Sequence, residues 1–186
     1  MIPENANKVF SGVLFDVYQW QQELFDGSTA TFEMVRQQDT AEVLAIHDGK
    51  IMIQEQRQPN DRQFLCLPGG RIEAGEDALA GAKRELLEET GFISKDWSLY
   101  HHREAHGHVQ RNFYVYIARD CSFLQEQQLD PGEQIRVRWV SLDELIELVD
   151  TGVLTRMEYD LRINLIRAKY HAQSKEELKN ALFFSV

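Results

Sequence analysis

GRIEAGEDALAGAKRELLEETGF, residues 70–92, is the stretch whose reading decides the fold. Gly69, Gly70 and Gly75 make a flexible loop. From Glu76 to Thr90 the chain then runs without proline, in mostly strong helix formers, until Gly91 stops it. Leu79, Ala82 and Leu86 recur at helical spacing as an apolar stripe, while Glu85, Glu88 and Glu89 stand at i, i+3 and i+4 on another face. Like charges so spaced cost a bare helix about 0.2–0.5 kcal/mol per pair, so the patch calls for solvent or a compensating cation. A hard divalent ion suits it: Mg²⁺ takes oxygen ligands and keeps waters and substrate phosphates in its shell. Arg84 reaches back two turns to pair with Glu76.

The 186 residues suffice for one well-cored domain and are short for two. With 43% hydrophobic and 27% charged residues, the composition is that of a soluble globular protein, and no apolar run approaches a membrane span. MIPENANKVF does not resemble a signal peptide, so the expected location is cytoplasmic. A net charge of −10 argues against a nonspecific nucleic-acid or membrane surface. Cys66 and Cys121 lie in apolar, strand-like surroundings and read as reduced core thiols.

Working outward, residues 9–20 alternate with the period of a strand, Asp26-Gly27-Ser28 is turn chemistry, and a second strand follows, an N-terminal antiparallel hairpin outside the core sheet. Such a ribbon needs something to pack on. Ala41 to His47, a turn at Asp48-Gly49, and Lys50 to Arg57 form another hairpin, in which Ile51, Ile53, Glu55 and Arg57 share the face read as inner. A loop from Pro59 to Arg62 and a short buried strand over Gln63 to Leu67 lead into the helix region. Beyond it, Trp97 to Arg103 and Val109 to Arg119 read as strands, with Phe113, Val115 and Ile117 opposite Tyr114 and Tyr116. His101, His102, His106 and His108 between them read as loop and substrate-pocket residues, with a transition-metal site as the alternative. A Pro-Gly turn feeds Glu133 into a strand over Ile135 to Val140. Three S/T-x-x-E pairs, Ser141/Glu144, Thr155/Glu158 and Ser174/Glu177, each open a predicted helix. Gly152 closes the first of these helices, and Leu161, Leu165 and Ile166 stripe the second.

Gly70, Glu76, Arg84-Glu85-Leu86, Glu88-Glu89, Gly91 and Phe92 match G-x5-E-x7-R-E-U-x-E-E-x-G-U, with U apolar, at every defined position. On these residues the chain resembles the Nudix hydrolase family. The resemblance implies an α/β (α+β) Nudix fold, a mixed sheet between helices, with residues 1–38 as an N-terminal hairpin and 39–186 as the hydrolase domain. It implies Mg²⁺, or Mn²⁺, held by Glu85 and Glu89, with Glu88 as a further or water-mediated ligand and the Gly70 carbonyl as a backbone ligand. Arg84 and Glu76 would orient the cluster.

The preceding hairpin resembles the branch that hydrolyses ADP-ribose and other nucleotide sugars, in which this part often exchanges across a homodimer. That likeness makes Arg57, in Gln56-Arg57, a phosphate-contact candidate, against a surface salt bridge. Trp20 or Tyr18 becomes a candidate for stacking on a base, against plain packing. Glu133 becomes the general base or an extra metal ligand, against an exposed turn glutamate, with Glu126 in reserve and Glu88 as another box candidate for the base. The branch's proline about fifteen residues past the box has no counterpart between Gly91 and Asp130, a departure that bears on the attached moiety rather than on the diphosphate chemistry. The expected reaction is hydrolysis of NDP-X to a nucleoside monophosphate and phosphorylated X. The rivals are hydrolysis of dinucleoside polyphosphates or nucleoside triphosphates and, outside enzymes, a nucleotide-binding regulatory module, against which the intact acidic set weighs.

Overall fold

Strands whose successive side chains point to opposite faces make a sheet with two apolar sides, and each side then needs a covering layer. The computed structural model, which describes residues 1–59, 61–104 and 107–184, has that arrangement. In chain order its elements are β1 Asn7–Ser11, β2 Phe15–Glu23, β3 Thr29–Gln37, β4 Thr40–His47, β5 Lys50–Arg57, β6 Phe64–Cys66, β7 Gly69–Arg71, α1 Ala78–Thr90 and β8 Phe92–Ile93. There follow β9 Asp96–Glu104, β10 Val109–Gln110, β11 Asn112–Arg119, β12 Ser122–Phe123, β13 Gln134–Val140, α2 Leu142–Asp150, α3 Tyr159–Tyr170 and α4 Ala172–Phe183.

The main sheet runs β13-β5-β4-β11-β9, with β6 added to β5 and β7 to β4, and it is mixed because β11 lies parallel to β4 while the other pairs are antiparallel. Leu44, Ile46, Ile51, Ile53, Val115 and Ile117 pack with residues of α2, α3 and α4 in one core. The alternate residues Val43, Ala45, Met52, Tyr116 and Ala118 pack with Ala82 and Leu86 of α1 in a second core. The expected sandwich, the helix stripe and the opposed faces of Phe113–Ile117 are all present. Asp48 and Gly49 both take positive φ, 47° and 69°, the geometry of the tight hairpin turn between β4 and β5.

Several boundaries differ from the sequence reading. Residues 9–20 are not one strand: Gly12 N–H donates to the Phe15 carbonyl, the chain reverses at residues 12–14, and β1 folds back on β2. A single glycine inside an alternating pattern hid that corner. Residues 109–119 divide at Arg111, because β10 leaves the main sheet to pair in parallel with β3. The N-terminal ribbon is therefore a four-stranded sheet, β1-β2-β3-β10, tied to the rest of the chain by Val109 and Gln110. Helix α1 begins at Ala78 rather than Glu76, with Asp77 as its cap accepting from the Ala80 N–H.

Of the three capping pairs, Ser141 caps α2 as expected, accepting from the Glu144 N–H. Thr155 does not cap α3. The buried Glu158 carboxylate does, taking the N–H groups of Asp160 and Leu161, which a charged acceptor satisfies better than a hydroxyl. Ser174 lies inside α4, which starts directly after the α3 C-cap His171 and leaves no room for a separate cap. Gly152, at φ +73°, follows the α2 C-cap Thr151. Cys66 and Cys121 are buried free thiols, as expected.

Leu165 is fully buried in the core beneath α3. Leu165→Ala is expected to lower unfolding stability by about 2–5 kcal/mol, and Ser141→Ala by about 1 kcal/mol, in urea titrations followed by circular dichroism. A loss below that of the cap variant would contradict the packing of α3 on the sheet.

Candidate active site

The acidic face of α1 meets the main sheet where β7 pairs antiparallel with β4. Gly70 lies opposite Ala41, and a side chain there would reach within 2.5 Å of the Glu85 carboxylate, so only glycine lets that carboxylate lie against the backbone. At the other end of α1, Gly91 takes φ +75° and its N–H caps the Leu87 carbonyl. The loop after β12 is fastened to the same helix end: Leu124 N–H donates to the Gly91 carbonyl, Gln128 N–H to the Glu88 carbonyl, and the Gln127 amide to the Glu89 carbonyl.

These elements enclose a cavity of about 410 Å³ lined by Gly70, Arg84, Glu85, Glu88, Glu89 and Glu133, among others. Six of the residues singled out from sequence thus converge. Arg84 sits among the acids as their organiser. Its Nε and Nη2 donate to the two oxygens of Glu76 at 3.0 and 3.1 Å, Nη2 also donates to the Arg71 carbonyl at 2.9 Å, and Nη1 donates to Glu85 and Glu88 at 2.9 and 3.0 Å. The pairing holds the Glu76 carboxyl below its usual range and raises that of the guanidinium.

Glu89 is 5% exposed. Its Oε2 takes two donors, the Gly69 N–H at 2.8 Å and the Gln54 amide at 2.9 Å, which leaves Oε1 with no partner among the described residues. Burial, opposed by those two hydrogen bonds and reinforced by the charges of Glu85 and Glu133, pushes its pKa from the usual 4.5 to about 8. Burial also raises Glu85, and burial with the neighbouring Asp130 raises Glu133. Gln56 Nε2 stands 3.4 Å from Glu133, a long contact, and the Gln58 amide also supports that carboxylate.

Carboxylates crowded around one space, each presenting oxygen, form the donor set of a hard divalent cation. Glu85, Glu88, Glu89 and the Gly70 carbonyl fit such an ion. The Cβ-free approach of Gly70 to Glu85 and the unpartnered Oε1 of Glu89 are the features that make the fit.

Two residues expected at the site lie elsewhere. Arg57 is exposed at the end of β5 on the opposite face from Gln54 and Gln56, and it borders a neighbouring cavity with Pro59 and Pro131. Of the face read as inner, Ile51 and Ile53 pack with α2–α4 and Arg57 reaches solvent, whereas Met52, Gln54 and Gln56 turn toward α1 and the acids. Trp20 packs on Phe32 and donates its indole N–H to Gln22, outside the acidic cavity. Glu126, the reserve candidate, is exposed and does not line that cavity.

The residues missed from sequence are Gln54, Gln56 and the Gly69 N–H. Their signal was present in the polar members of an otherwise apolar alternation, Met52-Gln54-Gln56. A larger cavity of about 540 Å³ between the ribbon and residues 72–76 adjoins the first, since Glu73 lines both.

His101 and His102 are strand residues of β9 rather than loop residues. His101 pairs with Asp160 at 3.0 Å, and ligand atoms of His101, Glu158 and Asp160 lie within 4.8 Å of one another. The Arg103 guanidinium already occupies that cluster, donating to Glu158 at 2.7 Å, so the arrangement is an ion-pair network at the start of α3. His102 stacks on Tyr114. The His108 carbonyl accepts from the Val35 N–H, and His106 lies outside the described residues.

The NUDIX domain family matches residues 36–158. Over 176 residues, 92% of each chain, the sequence is 32% identical to the ADP-ribose pyrophosphatase of Bacillus subtilis (strain 168). It is 30% identical over 149 residues to the methanol dehydrogenase activator of Bacillus methanolicus, covering 77% of this chain and 80% of that one. A solved ADP compounds hydrolase shares the fold with a TM-score of 0.73, over 91% of this chain and 94% of that one, at 19% identity.

Because the folded protein holds the Glu89 proton to about pH 8 while the unfolded chain releases it near 4.5, the folded state binds more protons between those values. The slope of stability with pH is negative where the native state binds more protons. Glu89 therefore contributes stability that is fully present below its unfolded pKa and lost as pH rises through about 8. With chelator present, thermal melts across that window should show wild type losing ground to Glu89→Gln as pH rises. A pH-independent difference would remove Glu89 as the titrating group.

Proposed function

Since the chain belongs to the NUDIX domain family, we propose that it hydrolyses a nucleoside diphosphate linked to another moiety, ADP-ribose or another nucleotide sugar. The products are a nucleoside monophosphate and a phosphorylated moiety. The observation that carries this reading is the convergence of Glu85, Glu88, Glu89, Glu133 and Gly70 on one open cavity beside Arg84. Similarity to an ADP-ribose pyrophosphatase over nearly the whole length supports the substrate class.

In this reading Glu85 and Glu89 are the principal ligands of Mg²⁺ or Mn²⁺, with Glu88 and the Gly70 carbonyl completing the set. The cation supplies polarisation of the phosphoryl group and a lowered pKa for the attacking water. Arg84 fixes the rotamers of Glu85 and Glu88, and the Gly69 N–H with the Gln54 amide fixes that of Glu89. Glu133, raised by burial and lining the same cavity, takes the proton of the attacking water, and Glu88 is the alternative acceptor. Fixed positions and charges, rather than covalent chemistry, carry most of the rate, as in other phosphoryl transfers. Arg57 and Trp20 remain candidates for phosphate and base contacts, and their placement outside the cavity makes those contacts depend on a bound substrate or a second subunit.

The partner proposed is a second copy. Val9, Phe10, Leu14 and Phe32 of the ribbon are 52%, 52%, 60% and 41% exposed, which a symmetric contact would bury. Among the described residues no helix is long and apolar enough to cross a membrane, and a cytoplasmic location is proposed.

Incubation with Mg²⁺ and a panel of ADP-ribose, other nucleotide sugars, dinucleoside polyphosphates and nucleoside triphosphates should yield nucleoside monophosphate from the nucleotide sugars by chromatography. Glu89→Gln should lose more than the roughly 10–100-fold that outer partners of a metal site cost, and Glu133→Gln should flatten the acid limb of the pH–rate profile. Cleavage confined to triphosphates would overturn the substrate class, and full activity in Glu89→Gln would overturn the ligand assignment. Separately, light scattering at micromolar concentration should give twice the 21.6 kDa chain mass, and a monomer would reject the ribbon contact.

A further inference from the structure

Cys66 is a buried residue that the proposed reaction does not use, yet it lies behind the site. Its Sγ stands 3.5 Å from Gln54 Oε1 and 3.3 Å from Gln56 Oε1, two amides that β5 turns to one face. The other ends of those amides face carboxylates: Gln54 Nε2 donates to Glu89 at 2.9 Å, and Gln56 Nε2 approaches Glu133 at 3.4 Å. Donor and acceptor roles along this chain are fixed by its ends. A carboxylate that holds a cation is ionised and only accepts, so in the metal-loaded site Gln54 must present its NH2 group to Glu89 and its carbonyl oxygen to Cys66, and Gln56 stands the same way between Glu133 and Cys66. The thiol, with one hydrogen shared between two oxygens, is the remaining donor. Burial, reinforced by the charges of Glu89 and Glu42, raises the thiol pKa and keeps the hydrogen in place.

We propose that Cys66 is a positioning residue for the catalytic centre: its S–H anchors the carbonyl oxygens of Gln54 and Gln56, and so holds their amides against Glu89 and Glu133. Gln54 is 0% exposed, so removing the thiol leaves its carbonyl oxygen buried without the donor. In the metal-loaded site, rotating the amide offers no relief, since that sets its oxygen against the ionised Glu89 carboxylate. The Gln54 amide then loosens, and Glu89 Oε2 keeps only the Gly69 N–H to hold it. Since Oε2 is the oxygen so pinned, the carboxylate's placement at the cavity is what loosens. The effect passes through Gln54, so it is smaller than that of a direct outer partner of a metal ligand.

The inference rests on Glu89 as a cation ligand, and the test separates the two. Mn²⁺ is titrated into metal-free wild type, Cys66→Ala, Cys66→Ser and Glu89→Gln, with free Mn²⁺ read by electron paramagnetic resonance and folding checked by thermal melts. Wild type should bind, and Glu89→Gln should bind far more weakly. Cys66→Ala should weaken Mn²⁺ by a few-fold to about tenfold, below the roughly 10–100-fold of a direct outer partner, and Cys66→Ser, which restores a donor, should recover most of it. Turnover should repeat the pattern as a higher half-saturating Mg²⁺ with little change in substrate KM at saturating Mg²⁺. If Glu89→Gln weakens binding and Cys66→Ala does not, the positioning role is overturned and the ligand assignment stands. Equal weakening in Cys66→Ala and Cys66→Ser also overturns it, because packing rather than a donated hydrogen would then be the cause. Unchanged binding in Glu89→Gln overturns both.

Discussion

All five guanidinium N–H groups of Arg84 are committed, to both oxygens of Glu76, to the Arg71 carbonyl, to Glu85 and to Glu88. A planar fork of fixed geometry is what allows one side chain to hold a loop and a helix in a single relation. Lysine, a point charge with three rotatable donors, could not reproduce it. The consequence reaches past the pair itself. Glu85 and Glu88 each give one oxygen to Arg84 and keep the other for the cavity, so the cation that makes the crowding tolerable also sets the direction of the acids it relieves. Glu89 is held by two neutral donors instead, and burial, which those donors only partly oppose, raises its pKa to about 8.

The two faces of the main sheet divide the labour that follows from this constraint. Ile51 and Ile53 on one face of β5 bind the sheet to α2, α3 and α4, and Met52 on the other binds it to α1. Continuing along that second face, burial persists while polarity rises, from Met52 to Gln54 to Gln56. A strand that is core at one end and hydrogen-bond donor at the other places its amides with the rigidity of the core. The opposite face carries its own carboxyls, the buried Glu158 and the half-buried Glu42, at the start of α3, where Arg103 and the helix N–H groups satisfy Glu158 and loss of solvent around its carboxyl pushes the Glu42 pKa to about 7. Carboxyls withdrawn from solvent thus occur on both sides of the sheet, tied into an ion-pair network on one and left partly open on the other.

What the sequence disclosed and what it concealed divide along the range of the interactions. The box residues were legible because helical spacing alone puts Glu85, Glu88 and Glu89 together, and the Arg84–Glu76 pair spans only two turns. Ser141 was legible as a cap because its partner is three residues away. Glu158 was misplaced because its capping role depends on Arg103, 55 residues earlier in the chain, which makes a buried carboxylate acceptable. The face of β5 was reversed for a related reason. Period two says which residues share a side and is silent on which side faces the helix, and a charged pair, Glu55 and Arg57, looks more like site chemistry than two glutamines do. The corner at Gly12 and the break at Arg111 depend on pairings of β1 with β2 and of β10 with β3, which no local pattern encodes.

Glu133 shows how a residue on a long loop gains the precision of a helix. The 124–133 segment has little regular structure, yet its N–H groups and the Gln127 amide bond to the carbonyls of Glu88, Glu89 and Gly91. Those are acceptors left over where α1 ends, since the last carbonyls of a helix have no partner within it. The loop thus satisfies the helix and is placed by it, and β13 then pairs with β5 at Gln134–Arg57 immediately after Glu133. The glutamate is fixed between two anchors, one on the helix that carries the other acids and one on the strand that carries their amides. Its position relative to Glu85 and Glu89 therefore does not depend on the loop's own stiffness, and a flexible sequence can carry a residue that chemistry needs in one place.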